Sequence, residues 1–429
     1  MKNLFKYLAV FSIVLFILFT ILCLITKIPK EAISDNMSKS VEFYKKNKGV
    51  ENTKFKRESL LIHYYADSVL LNLIYCADSD SPIESAMKNE FYQKIKMDVN
   101  YDFIELVEHK LEPNTQYMRY WHGSMVIIRP LLTILDIQGI YNLNKIALWS
   151  LAIALLIILI KKSKKLAVMY VLAMVMTTFY IVPYCFEYSW TFYIMFIVSI
   201  IAVLIEKKGD KGLYTLLFIS GMVTCYFDFL TTEILTLFVP LLLVLCIRKE
   251  ENRIQNFKDG FMLFLKCSAL WGISYCAMWA AKWILASIIL NVNALDYIKE
   301  HALLRINGLQ GVASYNKLYW GAIRNNWITI YPINIIKEEG ILIAISGVLL
   351  LTFIVLVDWK KVKEDKFYIV LLIIALMPYL RYLVLANHSY RHCFFTFRDQ
   401  IISIICIGIV LINCFNKRLW LKKVELKKE

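Results

Sequence analysis

Residues 385 to 400, LANHSYRHCFFTFRDQ, lie between two apolar runs and yet carry His388, Arg391, His392, Arg398 and an aspartate. Cations so placed suit a phosphate, because an arginine fork pairs with two phosphate oxygens at once. His388 and His392 are four apart and share one face if the segment is helical, a spacing used by zinc ligands, although two ligands do not complete a site. Comparable residues recur elsewhere. RYWHGSMVIIRPLL holds Arg119, His122 and Arg129 just before an apolar run, WAAKWILA holds Lys282, and Arg381 falls one turn before the histidine segment. YFDFLTTE places Asp228 and Glu233 between two apolar runs, where an acid is costly unless it faces protein or water. Singly, each cation reads as a snorkelling side chain. Together they form a cationic collection suited to the phosphate or diphosphate of a lipid whose tail the apolar helices accept.

The elements that must position these residues are membrane helices. The chain has 429 residues, of which 59% are hydrophobic, the composition of an all-α polytopic membrane protein. Apolar runs near 5–26, 144–160, 166–184, 190–206, 212–227, 229–247, 258–290, 340–357, 367–385 and 397–415 give about ten spans. The stretch 123–137 is shorter and broken by Arg129-Pro130, which predicts an interfacial or re-entrant helix. The formal net charge of +15 does not indicate nucleic acid, because the lysines and arginines cluster in alternate loops. That asymmetry places both termini in the cytoplasm of a multi-pass plasma-membrane protein.

The resulting organisation is a first transmembrane helix at 1–26, an extracytoplasmic loop with interfacial helices at 27–143, and helices 2–7 at 144–290. A second extracytoplasmic loop at 291–339, helices 8–10 at 340–415 and a basic cytoplasmic tail at 416–429 follow. All six histidines fall on the outer face, whereas the cytoplasmic loops are short lysine-rich tethers. The polar opening of the first loop, from residue 29 to 59, has little hydrophobic periodicity and reads as a surface loop. HYYADSVLLNLIYC then shows helical spacing with Asp67 near its start, which predicts a helix lying on the membrane surface. In 291–339, Tyr315, Tyr319, Trp320 and Trp327 suit either a saccharide or an interfacial aromatic belt. Most of the ten cysteines fall inside apolar runs; Cys76, Cys185 and Cys393 map to the outer side, and spacing argues no bridge among them.

A first helix with its N-terminus inside, a large first outer loop with an acidic residue and roughly ten spans together resemble the GT-C class of integral membrane glycosyltransferases. The resemblance covers the layout of the whole chain. It implies transfer of a sugar from a polyprenyl-phosphate donor to a glycan, lipid or protein acceptor on the outer face, at the cell envelope. It also implies an acid in the first outer loop acting as base or metal ligand. Asp67 in YYADSVLLN matches that acid best; Asp78 and Asp80 in CADSDSP come second and also fit a turn. Arg119, His122, Arg129, Asp228, Lys282, Arg381, His388, Arg391, His392 and Arg398 are then expected at the lipid phosphate or saccharide. No cofactor is certain, and a divalent metal stays open. The chain lacks the soluble C-terminal domain of some members. Two other readings remain: a polysaccharide polymerase or ligase using lipid-linked diphosphates, and a transporter or flippase for a lipid-linked saccharide. The absence of internal repeats and the crowding of ionisable residues toward one face weigh against the last.

Overall fold

The computed structural model describes residues 2–47, 50–51, 60–94, 98–309, 312–331 and 339–416. The basic tail from residue 417 and the side chain of His301 lie outside the described residues. The protein is helical almost throughout, with two short antiparallel ribbons, and all ten apolar runs form helices.

The first helix, α1 (Lys2–Thr26), exposes Leu4, Phe5, Leu8, Ile13 and Phe16, the face a lipid-contacting helix presents. It leads into α2 (Glu31–Lys46), where a surface loop was expected. The loop expectation fails because Ile33, Met37, Val41 and Tyr44 recur every three or four residues and are all buried, so polar composition masks a narrow apolar stripe. Next come the ribbon of β1 (Val50–Glu51) and β2 (Ile62–His63), then α3 (Tyr65–Cys76), α4 (Pro82–Lys88), β3 (Glu90–Phe91), α5 (Val99–His109) and β4 (Thr115–Gln116), which pairs with β3. α3 does not lie on a surface: eight of its twelve residues are buried. The short helix α6 (Met125–Leu131) carries Pro130, matching the interruption read at 123–137.

The bundle begins with α7 (Ile137–Lys162), α8 (Lys164–Met176) and α9 (Phe186–Ile205). It continues with α10 (Asp210–Phe227), α11 (Leu235–Glu250) and α12 (Phe257–Leu290). The run 166–184 is not one helix, because Thr178 turns left-handed and a 3-10 segment with Pro183 follows. α11 is buried from Leu235 to Arg248, and its apolar residues on every side mark it as the bundle's interior helix. α10 approaches α12 closely at Gly221, where a Cβ would collide with the Trp271 backbone. α12 has 34 residues. It therefore extends about 50 Å, well beyond a hydrocarbon layer of about 30 Å.

The remainder comprises α13 (Ala294–Asn307), α14 (Tyr315–Ile330), α15 (Glu339–Leu356), α16 (Trp359–Glu364), α17 (Phe367–Ala375) and α18 (Met377–Val384). α19 (Ala386–Arg391), α20 (Cys393–Thr396) and α21 (Ile401–Asn413) complete the chain. Among the described residues six helical stretches are long and apolar enough to cross a membrane, namely Leu4–Thr26, Ile137–Lys162, Phe186–Lys208, Phe257–Leu290, Phe367–Val384 and Cys393–Asn413. The chain is thus an all-α, multi-pass type of protein. All ten cysteines are free.

Candidate functional site: a histidine and aromatic cleft

At one end of the bundle, the segment preceding α7 folds over the ends of α9, α10 and α19 and encloses a cavity of about 110 Å³. Four histidines line it, His63, His122, His388 and His392, with one carboxylate, Glu187, and the rings of Tyr65, Tyr117, Tyr120, Phe229, Phe394 and Phe395. His63 comes from β2, His122 from the turn before α6, Glu187 from the first turn of α9, and His388 from α19. Parts of the chain 329 positions apart are needed to build it.

Glu187 faces His63, with 3.6 Å between Oε2 and Nδ1. Neither of those atoms has a hydrogen bond among the described residues. A carboxylate in the first helical turn is favoured by the helix dipole, and this one remains 12% exposed to the cleft. Behind it lies Asp67. Its Oδ2 accepts hydrogen bonds from the Tyr141 hydroxyl at 2.8 Å and the Phe186 amide at 2.9 Å, and its Oδ1 accepts from the Glu187 amide at 3.1 Å. Asp67 therefore closes the open amides at the start of α9, orphans that every helix N-terminus leaves. Burial pushes its carboxyl up to about 7, against the opposing pull of those hydrogen bonds. With 1% of its surface exposed, Asp67 is buried against the backbone of Glu187, and it does not lie on a membrane surface as expected of its helix.

His122 is buried in a left-handed conformation, φ 55°, which costs about 1–3 kcal/mol for a residue other than glycine. The strain is held by Gly123: its amide donates to the Tyr226 carbonyl at 2.9 Å, and a Cβ there would meet that oxygen at 2.6 Å. Neither ring nitrogen of His122 reaches a partner at hydrogen-bonding geometry among the described residues. Burial, then the charge of Lys282, lowers its imidazole well below the ordinary value, so the ring is neutral at pH 7. Across the cleft, His388 Nε2 donates to the Leu230 carbonyl at 2.8 Å. Leu230 is itself left-handed, φ 66°. The two rings of His388 and His392 stand 4.6 Å apart, and His392 stacks on Phe395. Left-handed backbone thus stands on both sides of the cleft, and such conformations persist only where the surrounding structure holds them.

Of the expected site residues, the structure brings His122, His388 and His392 together, and Arg119 stands close by, its guanidinium 4.1 Å from the Tyr117 ring. Most other cations are engaged elsewhere. Arg129 donates to the carbonyls of Ile28, Ile74 and Ala77, closing the exits of α1 and α3. Lys282 donates to Ala86 at 3.0 Å and Met87 at 3.1 Å, at the C-terminal end of α4, and does not meet Asp228. Arg381 grips Glu233 through Nε at 3.0 Å and Nη2 at 3.2 Å, and lies 3.6 Å from Asp399. Asp228 accepts from the Thr231 amide and hydroxyl, shaping the loop that carries Phe229. Arg398 is buried over the Tyr188 ring, outside the cleft lining, and Arg391 is exposed. Asp78 and Asp80 are exposed and form the turn before α4, Asp78 Oδ1 accepting the Asp80 amide. Tyr315 and Trp320 are exposed, and Trp327 bonds Ser346 on α15, so none of these aromatics reaches the cleft. No group of three or more metal-binding side chains occurs among the described residues.

Glu187 and His63 escaped sequence reasoning as a pair. Glu187 is the lone acid in PYCFEYSW, between two apolar runs, and the cost of an acid there is the signal that could have found it. No family model matches the chain, and it has no significant match among curated proteins or solved structures.

Proposed function

We propose that the protein is a membrane glycosyltransferase that moves a sugar from a polyprenyl-phosphate-linked donor to a cell-envelope acceptor on the extracytoplasmic face. The observation that carries this reading is the cleft itself. A carboxylate and an imidazole face one another, aromatic rings form the walls, and the whole sits at the end of a bundle of apolar helices. Rings of this kind receive the apolar faces of a sugar, while the exposed apolar sides of α1 and α12 adjoin the lipid that carries a polyprenyl tail.

In this reaction the acceptor oxygen forms a bond to the anomeric carbon as the bond from that carbon to the phosphate oxygen breaks. The acceptor proton passes to Glu187, which His63 steadies and which Asp67 holds in place through its amide. The departing lipid phosphate gathers charge, and Arg119 and the protonatable histidines His388 and His392 are the nearest groups to meet it. General base catalysis contributes about 10²–10⁴-fold. With ten spans and both termini inside, the cleft opens outward, and cysteine labelling is expected to reach positions 80 and 316 from outside and 163 and 362 from the cytoplasm.

The engagement of Asp67 favours one second reading: a polymerase or ligase, which takes lipid-linked diphosphate saccharides and uses no acid of the first loop. One assay separates the two. Purified protein in nanodiscs is given a polyprenyl-monophosphate sugar or a polyprenyl-diphosphate oligosaccharide, with an envelope glycan as acceptor. Single-sugar addition from the monophosphate, reduced about 10²–10⁴-fold in Glu187→Gln, supports the transferase. Chain transfer from the diphosphate alone selects the second reading, and turnover unaffected in Glu187→Gln removes the cleft from the chemistry.

A further inference from the structure

The opposite end of the bundle holds a second and larger cavity, about 580 Å³, that the reaction above does not use. The separation follows from α7: Tyr141 reaches Asp67 near the cleft, and Lys162 lies 21 residues further along the same helix, roughly 30 Å away. Lys162, Lys164, Lys165 and Lys249 line this cavity together with Glu250, the rings of Phe367 and Tyr368 and the side chain of Ile409, and the Lys249 ammonium lies 5.4 Å from the centre of the Phe367 ring.

Acids reach two of these four lysines and leave Lys164 and Lys165 without an ion pair among the described residues. Glu250 also lines the cavity, and its Oε1 accepts from the Ser163 hydroxyl at 2.8 Å. Lys249 pairs with Asp365 at 2.8 Å and Lys162 with Glu206 at 3.5 Å; Glu206 is shared with Arg253. Lys165 reaches only the neutral Asn413, and no ion pair involves Lys164 among the described residues. Lys164 and Lys165 moreover stand in the first turn of α8, the end of a helix whose dipole repels cations. Lys164 and Lys165, crowded against a positive helix end beside an open volume, have no ion-pair partner among the described residues.

We propose that this cavity binds a phosphate-bearing anion, the headgroup of an anionic phospholipid whose acyl chains lie along the exposed side of α8. Basic pockets between transmembrane helices on the cytoplasmic side receive such headgroups. The volume exceeds that of one phosphate, and Val168, Val171, Leu172 and Val175, which follow Lys164 and Lys165 on α8, present an exposed apolar side to the chains. A soluble phosphate compound shares the headgroup's chemistry and would need only the lysines.

The test uses the full chain in nanodiscs of equal parts phosphatidylcholine and phosphatidylglycerol, released and weighed by native mass spectrometry. Wild type is expected to retain phosphatidylglycerol in preference to phosphatidylcholine. K164Q/K165Q/K249Q is expected to lose that adduct by about tenfold or more, K164R/K165R/K249R to keep it, and K207Q/K211Q, at the same end but outside the cavity, to keep it as well. A parallel calorimetric titration with inorganic pyrophosphate identifies the source: saturable binding that depends on the same three lysines, with no lipid preference, assigns the site to a soluble phosphate. Equal phosphatidylglycerol retention by wild type and the Gln triple variant, or equal loss in K207Q/K211Q, overturns the proposal.

Discussion

The interior cations and the cleft histidines make opposite use of charge. Arg129, Lys282 and Arg381 are buried basic groups whose donors close helix exits or grip a carboxylate. The cleft collects imidazoles and one carboxylate, side chains whose proton can move. A charge inside an apolar bundle is therefore not in itself a site. It first has to be asked which backbone ends and which acids that charge already satisfies, since an unpaired buried polar group costs more than a formed bond returns.

Removing an interior cation gives the largest expected effect. Arg381→Ala strands Glu233, and with it Asp399, in the bundle. Breaking a buried pair in this way costs about 3–5 kcal/mol, read as a lowered unfolding midpoint in detergent and a lowered yield of folded protein. Arg381→Lys recovers part of that, because one ammonium cannot reproduce the fork. A variant Arg381→Ala that melts like wild type but no longer binds a polyprenyl-phosphate donor would move Arg381 from the interior set to the cleft.

The sequence made the helices legible and concealed the partners. Runs of apolar residues located the six helical stretches long and apolar enough to cross a membrane, since burial in lipid or protein demands such runs whatever their neighbours are. The stripe in α2 was overlooked because only four apolar residues in sixteen carry it, among lysines and serines. Three of the four cleft histidines were singled out by type and by their place at the edge of apolar runs. What spacing could not show is that Arg381 would meet an acid 148 positions away, or that Asp67 would bind amides 119 and 120 positions away. Such pairings are products of tertiary packing, and no local pattern announces them.

A middling effect is expected of Asp67→Asn. An amide retains one acceptor oxygen and turns its NH2 toward a former donor, either the Glu187 amide or the Phe186 amide, so about 1–3 kcal/mol of stability is lost. If Asp67 acts through Glu187, turnover falls far less than in Glu187→Gln. The pH dependence is diagnostic as well. In the folded chain the carboxyl is raised from 3.8 to about 7, so the native state holds the proton more tightly than the unfolded one. Between those two values the native state binds more protons, and stability contributed by this group falls as pH rises. That slope, followed by thermal unfolding from pH 4 to pH 7.5, is expected to flatten in Asp67→Asn. A wild-type slope preserved in the variant would assign it to another group and weaken the account of Asp67 as a buried positioning residue.

The smallest effect belongs to Asp78→Asn and Asp80→Asn. Both side chains are exposed, neither lines the cleft, and their visible work is local, with Asp78 accepting the amide of Asp80 and its own amide bonded to Ser85. Asparagine supports the same turn, because its side-chain oxygen accepts the same bond and it is equally at home in turns. Surface substitutions of this kind stay within about 0.5 kcal/mol, so unfolding and sugar transfer are both expected at wild-type levels. The comparison is sharpest here because this pair is the sequence's second choice for the catalytic acid, after Asp67. A large loss of turnover in either variant, with unfolding unchanged, would place the chemistry on the turn before α4 and leave the histidine cleft as a binding pocket without a base.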